Sequence, residues 1–204
     1  NQILWVVMDD GKLLGFTYMP EQQVFAWHQH PLGGSNTKVL SVAVIPGNDE
    51  DELWAVVERT INSSTKRYVE CLASFWPLQG GSKNNARYLD SWLSYDGSPA
   101  TTISGLGHLE GQTVGILADG ATHPDKVVSS GAITLDRSAS KVCVGLKYTS
   151  QWDGVPFEGG LQDGTALGRK QRISKVFIQL WETLLARMGN VGDFTDEILF
   201  RNGS

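Results

Sequence analysis

The pair Asp10-Gly11 sits between two apolar, β-rich runs, ILWVVM and LLGFTYM. An Asp-Gly pair so flanked predicts a hairpin, because glycine takes the positive φ that a tight turn needs. The runs VFAWHQH, KVLSVAVIPG, ELWAVVERTI and KRYVECLASFW follow, each closed by Gly, Pro, Asn or Ser. Charges fall at the turns and on alternate positions. Residues 1–75 therefore predict a ladder of short strands, rich in architecture and poor in chemistry. VLSVAVIP alternates imperfectly and reads as a strand buried on both faces. LWAVVERTI favours a strand through its β-branched residues, with a short helix as the rival.

A second strand set runs from about Tyr88 to Ser150. TTISGL, QTVGILADG, KVVSSGAITL and SKVCVGLKY are its strands, with turns at Ala118-Asp119-Gly120 and Ser130-Gly131. Short strands at regular spacing predict a small barrel or sandwich. Polar, glycine-containing stretches flank this set at 77–87 and 151–168. Beyond them, GRKQRISKVFIQLWETL resumes alternation, which predicts a strand over 172–184; a helix is the rival.

The 204 residues are enough for one large or two small domains. A hydrophobic content of 41% excludes a disordered chain. The net charge of −5 argues against a general binder of phosphate backbones. The two cysteines, Cys71 and Cys143, lie in separate apolar strands and make no disulfide framework, so a reducing compartment is expected. No apolar run approaches a membrane-spanning helix, and no signal peptide opens the sequence. The sequence opens at Asn1 within a strand, which reads as a segment of a longer polypeptide.

Candidate chemistry is sparse. His28 and His30 share a strand face, and Glu70 or Cys71 could complete a metal site with them. No partner has zinc spacing, however, and two polar histidines near a strand end explain the pair. His108, Asp119 and a serine could be assembled into a triad, but no nucleophile elbow supports one. The carboxylates Glu21, Glu110, Asp119 and Glu158 are available to a glycan hydrolase, and no spacing singles out a pair. The expectation is therefore no catalytic residue, no metal and no cofactor. Arg169, Lys170, Arg172 and Lys175 form the one basic cluster, an interface or anion contact or simply a charged edge. The seven tryptophans sit mostly among aliphatic residues, which suits core or interface anchors; Trp27, Trp54 and Trp152 are the candidate anchors.

A family resemblance builds on these residues. The matching positions are Asp10-Gly11, Leu13, Thr17-Tyr18, Glu21-Gln22, Val24, Ala26-Trp27, His30, Ser41-Val42-Ala43, Ile45-Pro46, Asp51-Glu52-Leu53-Trp54, Val56-Val57, Arg59 and Arg67-Tyr68. They resemble a segment common in phage tail and virion structural proteins. SGLGHLEGQTVGILADG and SGAITLDRSASKVCVGLKY are similar to a small β-barrel in those proteins. That barrel in turn resembles the first catalytic-cysteine half-domain of ubiquitin-activating enzymes, a likeness of shape and not of chemistry.

The resemblance implies an all-β chain: a discontinuous platform of 1–76 and 168–204, propeller-blade-like or sandwich, with a barrel inserted at 87–150 and linkers at 77–86 and 151–167. It implies a component of a tail nozzle or hub in the virion. Its partners would be other copies in a ring or tube and neighbouring tail proteins, with DNA as passing cargo. The alternative is a tail-associated carbohydrate-binding or cell-wall-degrading module.

Overall fold

The computed structural model describes residues 2–48, 50–74, 82–154, 175–179, 186–190 and 193–198. The fold is all-β, built from antiparallel sheets. Two compact units divide the chain, residues 1–150 and residues 151–204. Among the described residues, no helix is long and apolar enough to cross a membrane.

In the first unit, β1 (Gln2–Val7), β2 (Leu13–Met19) and β3 (Val24–His30) form a three-stranded sheet in that order. The Asp-Gly hairpin lies where the sequence places it. Gly11 takes φ +87°, its N–H donates to the Met8 carbonyl (2.8 Å), and Asp10 Oδ1 accepts from the Lys12 N–H (3.1 Å). A second three-stranded sheet follows with β5 (Asp51–Ile61) between β4 (Ser35–Pro46) and β6 (Ser64–Cys71). LWAVVERTI is thus a strand. Leu13, Val39, Leu53 and Val57 form a small core, with Trp5, Val7, Leu32, Val42 and Ala55 packed on it.

VLSVAVIP departs from expectation. β4 is an edge strand, and Leu40, Val44 and Ile45 are exposed while Val39 is buried. Its continuous apolar run imitates a central strand, but a single flanking strand and one covered face leave most of it in water.

Next come β7 (Asp90–Ser104), β8 (Thr113–Ala118), β9 (Ala121–Val127) and β10 (Ala132–Leu146), a four-stranded sheet in the order β7-β10-β8-β9. This sheet holds the larger core, which includes Ile103, Leu106, Leu109, Val114, Val128, Val142 and Val144. The barrel that the strand spacing predicts does not close: β7 and β9 are edges that share no pairing. Pro124 within β9 removes a backbone donor and suits an edge, where no ladder bond is required. Irregular register between β7 and β10, at Thr134/Ala139, Ala139/Lys141 and Val144/Leu146, bends the sheet without joining its edges.

In the second unit, β11 (Ala186–Asn190) pairs with β12 (Asp193–Ile198). Of the strand expected over 172–184, residues 175–179 are described and are irregular, with Val176, Phe177 and Ile178 exposed. Alternation without a partner strand does not form a ladder. The rest of that segment lies outside the described residues, as does most of the expected joint at 151–167 and part of that at 77–86.

Candidate functional site

The register of the first sheet sorts its side chains onto two faces. Leu4 pairs with Phe16 and Phe16 with Trp27; Tyr18 pairs with Phe25; Leu14 pairs with Val6 and Gln29. Opposed residues share a face, so these side chains form one outer surface. Phe16 lies 4.7 Å from Trp27 and Tyr18 5.5 Å from Phe25, centroid to centroid. The rings are tilted against each other, as aromatic quadrupoles favour. Yet Leu4 is 60% exposed, Phe25 55% and Trp27 59%. Side chains of this size, half exposed, leave roughly 400 Å² of apolar surface in water. That is the scale of the largest apolar patch on an ordinary monomer, and such patches are often functional. The eight described positions from Val6 and Leu4 across to Gln29, Trp27 and Phe25 carry no charge.

The inner face explains why the sheet holds its shape. Trp5 packs against His30 (4.9 Å) and edge-on to His28 (6.2 Å). His28 Nδ1 and His30 Nε2 share a hydrogen bond of 2.7 Å, and His28 Nε2 bonds the Thr17 hydroxyl at 3.0 Å. Gly15 lies opposite His28, where a Cβ would come within 2.2 Å of the imidazole. Burial, followed by the neighbouring His28, pulls the His30 pKa below its ordinary value. Ring nitrogens that bond each other and Thr17 are spent on structure. The proposed completers of a metal site are elsewhere engaged or exposed: Glu70 pairs with Arg59, and Cys71 bonds the Leu72 carbonyl. Among the described residues, no group of three metal donors forms.

A buried polar junction joins the sheets of the first unit. Arg59 is fully buried, its Nε donating to the Gly33 carbonyl (3.0 Å) and its Nη1 to Glu70 Oε1. The Gly33 N–H donates to Asp90 Oδ2 (2.6 Å), and the Thr37 hydroxyl donates to the same Gly33 carbonyl (3.0 Å). Arg59 Nη2 has no hydrogen-bond partner among the described residues. Burial pushes the Asp90 carboxyl up; the Gly33 N–H and the Arg59 guanidinium oppose the rise, and Glu70 adds to it. Gly33 itself has no room for a side chain, since a Cβ would meet the Lys147 carbonyl at 2.7 Å. The loop after β3 is thus clamped between β5, β6 and the facing ends of β7 and β10.

The remaining candidates are engaged structurally. His108 Nε2 donates to the Ser91 carbonyl (2.9 Å), and Asp119 accepts from the Ser140 and Lys141 N–H groups, so no triad forms. Glu110 accepts from the Ser130 and Gly131 N–H groups, closing a turn. His123 accepts from the Asp136 N–H through Nε2 and donates from Nδ1 to the Pro124 carbonyl. Glu21 lies in an exposed turn, and Glu158 lies outside the described residues.

Of the three expected anchors, Trp27 lies in the outer aromatic face. Trp54 is half-buried on β5, with its Nε1 donating to Glu52 Oε2 (2.9 Å). Trp152, in the second unit, is 86% exposed. Lys175 is exposed, and Arg169, Lys170 and Arg172 lie outside the described residues.

Phe16, Tyr18 and Phe25 were legible as partners of Trp27, because LLGFTYM and VFAWHQH place aromatic residues two apart. Arg59 was legible too: Leu53, Val57, Arg59 and Ile61 are the buried, odd-numbered positions of β5. Glu70 and Asp90 carried no such signal, since their roles come from distant strands.

The thiols yield a clear expectation. Burial pushes the Cys143 pKa up to about 11, whereas Cys71 is exposed and its pKa is raised by partial desolvation and then by Glu52. A disulfide-exchange reagent at pH 8 is expected to titrate Cys71 alone in the folded chain, with Cys143 reacting only after denaturant is added. Equal rates for both thiols would contradict the buried placement of Cys143.

No family model matches the chain, and no curated protein sequence matches it.

Proposed function

We propose that this chain is a structural component of a bacteriophage tail, which assembles with other copies and with neighbouring tail proteins. The observation that carries the assembly part of this reading is the uncharged outer face of Leu4, Phe16, Tyr18, Phe25 and Trp27. An uncharged, aromatic surface of this kind has the composition of the core of a protein interface, where aromatic residues are enriched and charged residues depleted. The phage part rests on the sequence resemblance over the first 70 or so residues. A glycan-binding face would set hydrogen-bonding groups among its rings. Here the Tyr18 hydroxyl, the Trp27 indole N–H and Gln29 are the described side-chain polar groups on a face that otherwise exposes phenyl and aliphatic side chains, which favours a protein partner.

The test is immunogold labelling of purified particles from a phage that encodes this sequence. Antibody raised against the chain is expected to decorate the tail. Intact, infectious particles without label, from lysates in which the chain is expressed, would overturn the reading.

A further inference from the structure

We propose that β3 is a pairing edge for the β3 strand of a second copy of this chain, joining two three-stranded sheets into one of six strands. The inference deepens the assembly reading above and rests on it.

Sheet edges are normally blunted, because a row of unpaired N–H and C=O groups invites another strand. The described edges of the first unit show this protection. β4 carries Lys38 and Pro46 and two register shifts. β6 carries Lys66 and Arg67. β9 has Pro124, Asp125 and Lys126 in sequence, and β7 carries Asp96 and Pro99 and is bulged against β10. The β1 side of the first sheet faces β4, whose Val39 N–H donates to the Gly11 carbonyl at 2.8 Å.

β3 has none of these devices. Its seven residues, VFAWHQH, contain no proline, lysine, arginine or carboxylate. Its register with β2 runs from Met19↔Val24 to Leu13↔His30 without a bulge, so its outer backbone edge is continuous. Among the described residues no strand pairs with that edge.

The occupant follows from charge and chemistry. The chain carries a net charge of −5, so two copies carry like net charge. An uncharged strand is where they can meet without placing like charges opposite each other. Antiparallel pairing about a two-fold axis normal to the sheet keeps both outer faces on the same side. Phe25 and Trp27 of each copy would then lie beside those of the other, and aromatic cross-strand pairs are among the stabilising ones. The contact is small beside the roughly 800 Å² per partner of a standard interface, so a weak, concentration-dependent dimer is expected.

Sedimentation of the full chain from about 5 to about 200 µM tests this, together with amide hydrogen exchange at both ends of the range. The expected result is a shift from one chain to two. Alternate amides of Val24–His30 should exchange at least about tenfold more slowly in the concentrated sample. The double variant Phe25→Lys, Trp27→Lys is expected to stay monomeric with an unchanged far-ultraviolet spectrum. A chain monomeric throughout would overturn the inference. So would a dimer whose β3 amides are unprotected, which needs no variant to detect, or a dimer undiminished in a folded double variant. Any of these, in a chain that still labels the tail, defeats the β3 pairing and leaves the tail reading standing. A β3 dimer formed by a chain that never labels particles defeats the tail reading instead.

Discussion

Replacing Arg59 by alanine is expected to destabilise the chain by about 3 kcal/mol, read as a lower urea midpoint and a melting temperature reduced by about 10 °C. Three terms set the size. The side chain is fully buried, so losing its aliphatic stem leaves a void beside Gly34, where a Cβ would lie 3.2 Å from Arg59 Cδ. Glu70 loses the cation that neutralises it, although its side chain keeps 20% exposure and partial hydration, which moderates the loss. The Gly33 carbonyl keeps its bond from Thr37, so that acceptor is not orphaned. Against these stands the Arg59 Nη2 already without a partner, whose desolvation cost the substitution removes.

The deficit has a pH signature. The Asp90 pKa is already raised above its ordinary 3.8 in the folded chain, and Arg59 holds it down. An acid with a raised folded pKa favours folding most below its unfolded value, and that contribution is lost as pH rises through the folded pKa. Without Arg59 the folded pKa rises further. The deficit is therefore expected to be smaller at pH 4 than at pH 7. The double variant Arg59→Met, Glu70→Gln should recover part of the loss, because removing both charges leaves neither one buried alone. A single variant within about 1 kcal/mol of the parent at both pH values would show that the junction does not hold the sheets.

Leu109→Ala is expected to cost between about 2 and 5 kcal/mol, in the upper half of that range. Leu109 is fully buried at the end of the 3-10 turn Gly107–Leu109 and packs in the larger core with Leu106, Val114 and Val128. Its backbone is pinned on both sides: its N–H donates to the Leu106 carbonyl (2.8 Å), and its carbonyl accepts from the Gln112 N–H (3.0 Å). A turn so fixed cannot collapse into the space left by the missing side chain, and an uncollapsed cavity carries the full penalty. Leu40→Ala, at a residue 43% exposed on β4, is the control, and a loss below about 1 kcal/mol is expected there. Urea denaturation followed by tryptophan fluorescence measures both. Equal losses at the two positions would mean that the four-stranded sheet is not the main store of stability.

Local signals carried far in this chain. The Asp10-Gly11 turn, the period-two aromatic spacing on β2 and β3, and the strand assignment of LWAVVERTI all depend on neighbours a few residues away. The failures lie where a distant partner decides. VLSVAVIP has the composition of a central strand and is an edge, because composition does not report which strands flank it. Regular strand spacing in 88–150 suits a barrel and an open sheet equally, since closure depends on whether the first and last strands in spatial order meet. Among the three candidate anchors, burial separates the half-buried Trp54 from the exposed Trp27 and Trp152.

By itself the sequence determined that the fold is all-β and where its tight turns fall; both follow from local backbone preference and side-chain periodicity. Only the tertiary structure decided which alternating face is left in water, and that β3 is an edge among the described strands. It alone brought Arg59, Glu70 and Asp90 around the Gly33 backbone. The physical reason is that exposure, edge position and the pairing of buried charges belong to relations between strands distant in sequence.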